Sequence, residues 1–216
     1  MLSTKLPKTS TQKSVDARSA QGMGGVDTVF TMFHGLAAVG MTEEVGRVLK
    51  ANSSVVMCKD GGESTPLHYA CMGNHKSTAE TLLERNADPN AKDAHGQTPV
   101  HLAAMCGDES LVYLLLQSGG RPDCQTAAGS TPLHGCADRH VGVGRLLLSS
   151  GADPLATDGF KRTALHEASR KGNSENAGLF ASWGMDPDSP DVFDMSPLVL
   201  CANQATRMAM LEGIGQ

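Results

Sequence analysis

The sequence predicts an all-α solenoid of stacked helix pairs with hairpin-like turn tips, and three observations predict it. A four-residue motif recurs as Thr65-Pro66-Leu67-His68, Thr98-Pro99-Val100-His101, Thr131-Pro132-Leu133-His134, Thr163-Ala164-Leu165-His166 and Ser196-Pro197-Leu198-Val199. Its starts are separated by 33, 33, 32 and 33 residues, and self-similarity at a fixed period of this size marks a repeat array. Each motif places Thr or Ser, four times followed by Pro, ahead of an apolar run. That is the N-cap and first-turn chemistry of a helix. The 216 residues are 40% hydrophobic but only 4% aromatic, with 24 glycines, which suits many short elements better than a large sheet core.

Residues 1–25 stand apart as a flexible tail, with Lys5, Lys8, Lys13 and Arg18 among serines and threonines and Asp16 as the one acid. This composition also fits a mitochondrial presequence, but Pro7 and the few apolar residues weaken an amphipathic helix. A secretory signal is excluded because no apolar stretch follows the first lysine. Thr31-Met32-Phe33-His34 then reads as a degraded first motif, followed by Leu36-Ala37-Ala38 and a second helix through Leu49.

In the later repeats the first helix carries small residues at Ala70-Cys71, Ala103-Ala104, Cys136-Ala137, Ala168-Ser169 and Cys201-Ala202, which let neighbouring helices approach closely. A second apolar stripe follows at Leu82-Leu83, Leu114-Leu116, Leu146-Leu148 and Leu179-Phe180. Asn86, Gly119, Gly151 and Gly184 come next, residues suited to the left-handed position that ends a helix. Polar segments such as Asp93-Ala94-His95-Gly96 and Asp158-Gly159-Phe160 form the tips between repeats. A pair of this size cannot bury its apolar face alone, so the pairs must stack.

These motifs, spacings and helix patterns resemble the ankyrin-repeat family. The likeness spans residues 26–216, in approximate repeats 26–59, 60–92, 93–125, 126–157, 158–190 and 191–216. Three departures affect local geometry: Ala164 replaces the proline, the fourth copy is one residue short around Arg139, and Val199 replaces the histidine.

Little in the chain points to chemistry. Its six cysteines are expected to be reduced, because Cys58 and Cys124 occupy equivalent places two repeats apart, about 20 Å at a layer spacing of ~10 Å, beyond disulfide reach. His68 with Cys71, and His134 with Cys136, are the best metal-ligand pairs, but the histidine recurs at a fixed repeat position and no Cys-x-x-Cys occurs. His166-Glu167 begins a zinc-protease motif that fails at Arg170. Gly142 and Gly144 lack the third glycine of a dinucleotide fingerprint, and no phosphate loop is present. We therefore expect no metal, no cofactor and no catalytic activity. The net charge of −5 gives no global attraction to nucleic acid or anionic membrane, and the longest apolar run, Leu111 to Leu116, is far short of a membrane span.

What remains is recognition. The resemblance implies partner binding through the turn tips and the exposed positions of the first helices, which together make a concave face. Here those positions are His95, Gln97, Phe160, Arg162, Phe193 and Met195 at the tips, and Met105, Asp138, Arg139, Arg170, Lys171 and Asn203 on the first helices. Exposed aromatics and arginines are typical binding hot spots. Arg139, His140, Lys161, Arg162, Arg170 and Lys171 cluster in the fourth and fifth repeats, which suits an acidic surface or peptide unless Asp158, Glu167 and Glu175 neutralise them locally. The expected protein is a monomer in the cytoplasm, with the nucleus open to it, serving as an adaptor or scaffold for one or more proteins. Stoichiometric inhibition or assembly of an enzyme complex is the alternative, and a metal-dependent or catalytic role the weakest. At the far end Met208, Met210, Leu211 and Ile214 are expected to pack inward on Leu179 and Phe180, the alternative being an outward-facing surface.

Overall fold

The computed structural model describes residues 25–215, so all of the expected tail except Gly25 lies outside the described residues. Twelve α-helices follow in pairs: α1 (Gly25–Val39) and α2 (Thr42–Ala51), α3 (Pro66–Met72) and α4 (Lys76–Leu83), α5 (Pro99–Cys106) and α6 (Glu109–Gln117). Next come α7 (Pro132–Cys136) and α8 (Val141–Ser149), α9 (Ala164–Lys171) and α10 (Ser174–Ser182), α11 (Pro197–Leu200) and α12 (Gln204–Ile214). First helices pack on first helices and second helices on second helices along the whole series. The two layers enclose one continuous apolar core from Phe33 to Met210. Among the described residues there is no strand, and no helix is long and apolar enough to cross a membrane.

The recurrent histidine explains why the pairs stack in register. In four repeats its Nδ1 accepts the backbone N–H of the cap threonine three residues earlier, from Thr65 to His68 at 3.1 Å, Thr98 to His101 at 3.1 Å, Thr131 to His134 at 3.2 Å and Thr163 to His166 at 3.1 Å. A backbone N–H can only donate, so Nδ1 carries no proton and Nε2 does. That Nε2–H donates to the next repeat: His68 to the Gln97 carbonyl at 3.1 Å, His101 to Ser130 at 3.1 Å and His134 to Arg162 at 2.8 Å. His34 Nε2 makes the corresponding contact with the Ser64 carbonyl at 3.0 Å. The series stops at His166, whose buried Nε2 has no hydrogen-bond partner.

The tips are joined by backbone bonds as well, from Ala94 N to Gly62 O, Ala127 N to His95 O, Gly159 N to Ala128 O and Val192 N to Phe160 O, at 2.8–3.0 Å. Gly96 and Gly129 have φ of +75° and +78°, and a Cβ on either would press on the next tip's backbone at 2.8–2.9 Å, so both reasons require glycine. Asn86, Gly119, Gly151 and Gly184 all take the left-handed conformation expected at the end of the second helix.

Four local expectations are corrected. Thr31 lies inside α1 instead of capping it, since no proline follows to halt the helix upstream. The one-residue deficit of the fourth copy shortens its first helix, so α7 stops at Cys136 and Asp138 and Arg139 lie in the turn after it. The next repeat fills the gap: Asn176 Nδ2 donates to the Cys136 and Ala137 carbonyls at 3.1 and 3.0 Å, and Asn173 Nδ2 to the Asp138 carbonyl at 2.8 Å. In the last copy α11 is only four residues long, and Cys201-Ala202 fall outside it. Finally, of the four terminal apolar residues only Met210 packs inward. Thr206, Met210 and Gly213 form the buried stripe at helical spacing, leaving Met208, Leu211 and Ile214 exposed.

α12 lies unusually close to α10. A Cβ on Gly213 would come 2.5 Å from the Gly178 carbonyl oxygen and 3.0 Å from Ala181 Cβ, so the backbones meet directly. Gly213→Ala is expected to force the helices apart and to lower stability by about 1–3 kcal/mol, the usual cost of overpacking. A thermal melt followed by circular dichroism checks it, and an unchanged midpoint would show that α12 shifts freely.

Candidate protein-interaction surface

Each tip is built by a side chain that turns the backbone back on itself. Asp93 Oδ1 accepts the N–H groups of His95 and Gln97, Asp158 Oδ1 those of Phe160 and Arg162, and Asp191 Oδ1 those of Phe193 and Met195, all at 2.8–3.0 Å. This holds His95, Phe160 and Phe193 out on the surface, while Gln97, Arg162 and Met195 are half-buried where the chain enters the next helix. Phe160 and Phe193, 48% and 69% exposed, stack on each other with ring centroids 6.2 Å apart and planes at 26°. The Arg162 guanidinium sits 4.9 Å from the Phe160 centroid, a cation–π contact.

Two adjoining grooves run along this face, the first between the tips and the first helices and the second between α5 and the turn after α7. One, of about 360 Å³, is lined by His95, Gln97, Met105, Ala127, Gly135 and their neighbours. The second, of about 430 Å³, is lined by Met105, Cys106, Gly135, Asp138, Arg139 and His140. The structure thus brings His95, Gln97, Met105, Asp138 and Arg139 onto one continuous surface. Met105 is exposed, and its Sδ lies 3.8 Å from Gln97 Nε2.

The basic cluster is largely paired. Arg162 holds Asp158 Oδ2 through Nε and Nη2 at 3.1 and 2.9 Å, and reaches Glu167 at 3.2 Å. Burial raises the Asp158 carboxyl, but the Arg162 and Phe160 N–H groups and the guanidinium outweigh it and hold it below the usual carboxylate range. Glu167 also takes Arg170 at 2.6 Å. Asp138 faces both Arg139 at 3.2 Å and Lys171 at 3.9 Å. Glu175, expected to share in this neutralisation, makes no ion pair among the described residues, and Asp138 takes that part instead.

Asn203 is corrected. It is the N-cap of α12, its Oδ1 accepting Thr206 N–H at 2.8 Å and its Nδ2 donating to the Gly172 carbonyl at 3.1 Å, so it fixes the last helix instead of extending the first-helix face. Asn followed three residues later by Thr was the sequence signal for this cap. Sequence reasoning also missed Gly135. Its repeat position carries Tyr69, Leu102 and Glu167 in the neighbouring copies, so aligning the copies position by position exposes it. The candidate metal pairs dissolve: His68 is occupied by cap and ladder, while burial pushes the Cys71 thiol up and that of Cys136 up to about 12. All six cysteines are free, and among the described residues no group of three or more potential ligands comes together.

The described residues thus form an all-helical repeat solenoid with a continuous surface along its tips and first helices. A family model described as ankyrin repeats (many copies) matches residues 67–116, and one described as ankyrin repeats (3 copies) matches residues 92–158. Together these matches place ankyrin repeats over residues 67–158. A search of curated proteins found no match. Ankyrin repeats are in general protein–protein interaction modules and are typically non-catalytic.

Proposed function

We propose that the chain is a cytoplasmic, non-catalytic adaptor or scaffold that holds partner proteins on the face formed by its tips and first helices. The observation that carries this reading is the Phe160–Phe193 stack. Two phenylalanines at equivalent tip positions point into solvent, backed by an arginine fixed by two carboxylates, where the preceding tips present Gly62, His95 and Ala128. Burying each ring against a partner is worth about 1.5–3 kcal/mol, whereas exposed they add little to folding.

Phe160→Ala with Phe193→Ala is therefore expected to cost less than about 1.5 kcal/mol of stability, the size of a lost ring stack, and to weaken partner capture by at least ~30-fold, the loss of a hot spot. Affinity capture from cell extract with quantitative mass spectrometry, comparing wild type with the double variant at matched folded fraction, tests this. If the same proteins are captured equally by both, and by Arg170→Glu as well, the face is not the binding surface.

A further inference from the structure

We infer that the notch over Gly135 receives one apolar side chain of an extended partner segment that carries a carboxylate about two residues away. This rests on the protein-binding reading above and specifies its ligand. Gly135 leaves open the place that Tyr69, Leu102 and Glu167 fill in neighbouring repeats. A Cβ there would already stand 3.1 Å from Met105 Cγ, so the notch is closed on one side by an exposed methionine. Methionine adapts its shape to an incoming apolar group. The facing wall is the row of tips, where Ala94, Ala127 and Ala128 present only methyl groups beside His95, so a main chain can lie across the three alanines. A volume of about 360 Å³ is at the low end for small-molecule sites, which run from ~300 to ~1,000 Å³. It suits a side chain with part of its backbone.

The charge requirement comes from an ion-pair network that ends in the adjoining groove at Asp138 and Arg139. Arg139, Arg162, Arg170 and Lys171 face three carboxylates, Asp138, Asp158 and Glu167. One positive charge is thus left over, and the sharing falls on Asp138, whose partner Arg139 is 72% exposed. A carboxylate from the partner completes the balance. Arg139 closes the turn after α7 on the Cys136 carbonyl, N to O 3.3 Å, so it lies within about 7 Å of the residue next to Gly135, a span that an extended segment covers in about two residues. The chain's own residues 1–24 are basic and are the wrong complement.

A random dodecapeptide library displayed on phage, panned against the full chain, tests the inference. Selected peptides are expected to share an apolar residue with Asp or Glu about two positions away. The best synthetic peptide should bind Gly135→Leu at least ~30-fold more weakly, and Arg139→Glu ~10-fold more weakly with a flattened salt dependence. Met105→Glu, an exposed substitution, gives the same loss if Gly135→Leu does not fold. Basic consensus peptides, an empty selection, or binding indifferent to both notch variants overturns the proposal. Peptides lost by the double Phe160/Phe193 alanine variant but kept by the notch variants leave the protein-binding reading intact and remove only this one.

Discussion

Lowering the pH from 7 to 5 is expected to destabilise the protein steeply, well before its carboxylates titrate. Burial holds His68, His101, His134 and His166 below their ordinary value of 6.5, neighbouring backbone groups offsetting it only in part. The geometry gives the reason: Nδ1 is already an acceptor for the cap N–H, so a proton there would face another donor. The unfolded chain takes up protons as the pH falls through about 6.5, while the native chain does not. Stability is therefore fully present above that pH and is lost below it, until each native value is reached. All four histidines act in the same direction, so their contributions to the loss add as the pH falls. Urea midpoints measured at pH 7, 6 and 5 check this. A flat profile would mean that the histidines protonate inside the folded stack.

Phe180→Ala is expected to cost about 3–5 kcal/mol, the usual cost of removing a buried phenylalanine side chain. Phe180 is fully buried in α10, at the repeat position held by Leu82, Leu115 and Leu147. The larger ring fits because Gly144 stands opposite, where other copies have Ala79, Val112 and Ala177. A Cβ on Gly144 would lie 3.3 Å from Phe180 Cε1. Phe180→Leu combined with Gly144→Ala should consequently cost less than the sum of the two single changes, since each relieves the mismatch left by the other. Equilibrium denaturation of the three variants measures the coupling, and additive losses would show that the two sites do not share their space.

The period, the caps and the helix ends were legible because each depends on local chemistry repeated several times. Thr98-Pro99 opens a helix whatever surrounds it, and Gly151 ends one for the same reason. The last repeat was legible only in part, because its motif lacks the histidine and methionine does not declare a side: Met210 is buried and Met208 exposed, two residues apart on one helix. Candidate site residues divided in the same way. His95, Phe160 and Phe193 are displayed by turns whose geometry an aspartate sets two residues earlier, so their place follows from sequence. The pairing of Lys171 with Asp138 depends on how successive repeats are rotated, which no single repeat encodes, and that of Arg162 with both Asp158 and Glu167 on how one tip folds back on its own first helix. The notch at Gly135 is visible only by comparison between copies.

The short fourth repeat limits how far the array can be treated as interchangeable bricks. Its truncated helix leaves the Ala137 and Asp138 carbonyls to Asn176 and Asn173 of the following repeat, and the room at Gly144 is taken by Phe180 from the same neighbour. The two copies thus form one indivisible cassette. A recombination event, or an engineer, that exchanges either for a regular copy strands polar groups on one side of the junction and leaves a hole or a clash on the other. A cut after residue 125 leaves that cassette whole, so grafting and lineage-specific gain or loss of repeats should respect that boundary.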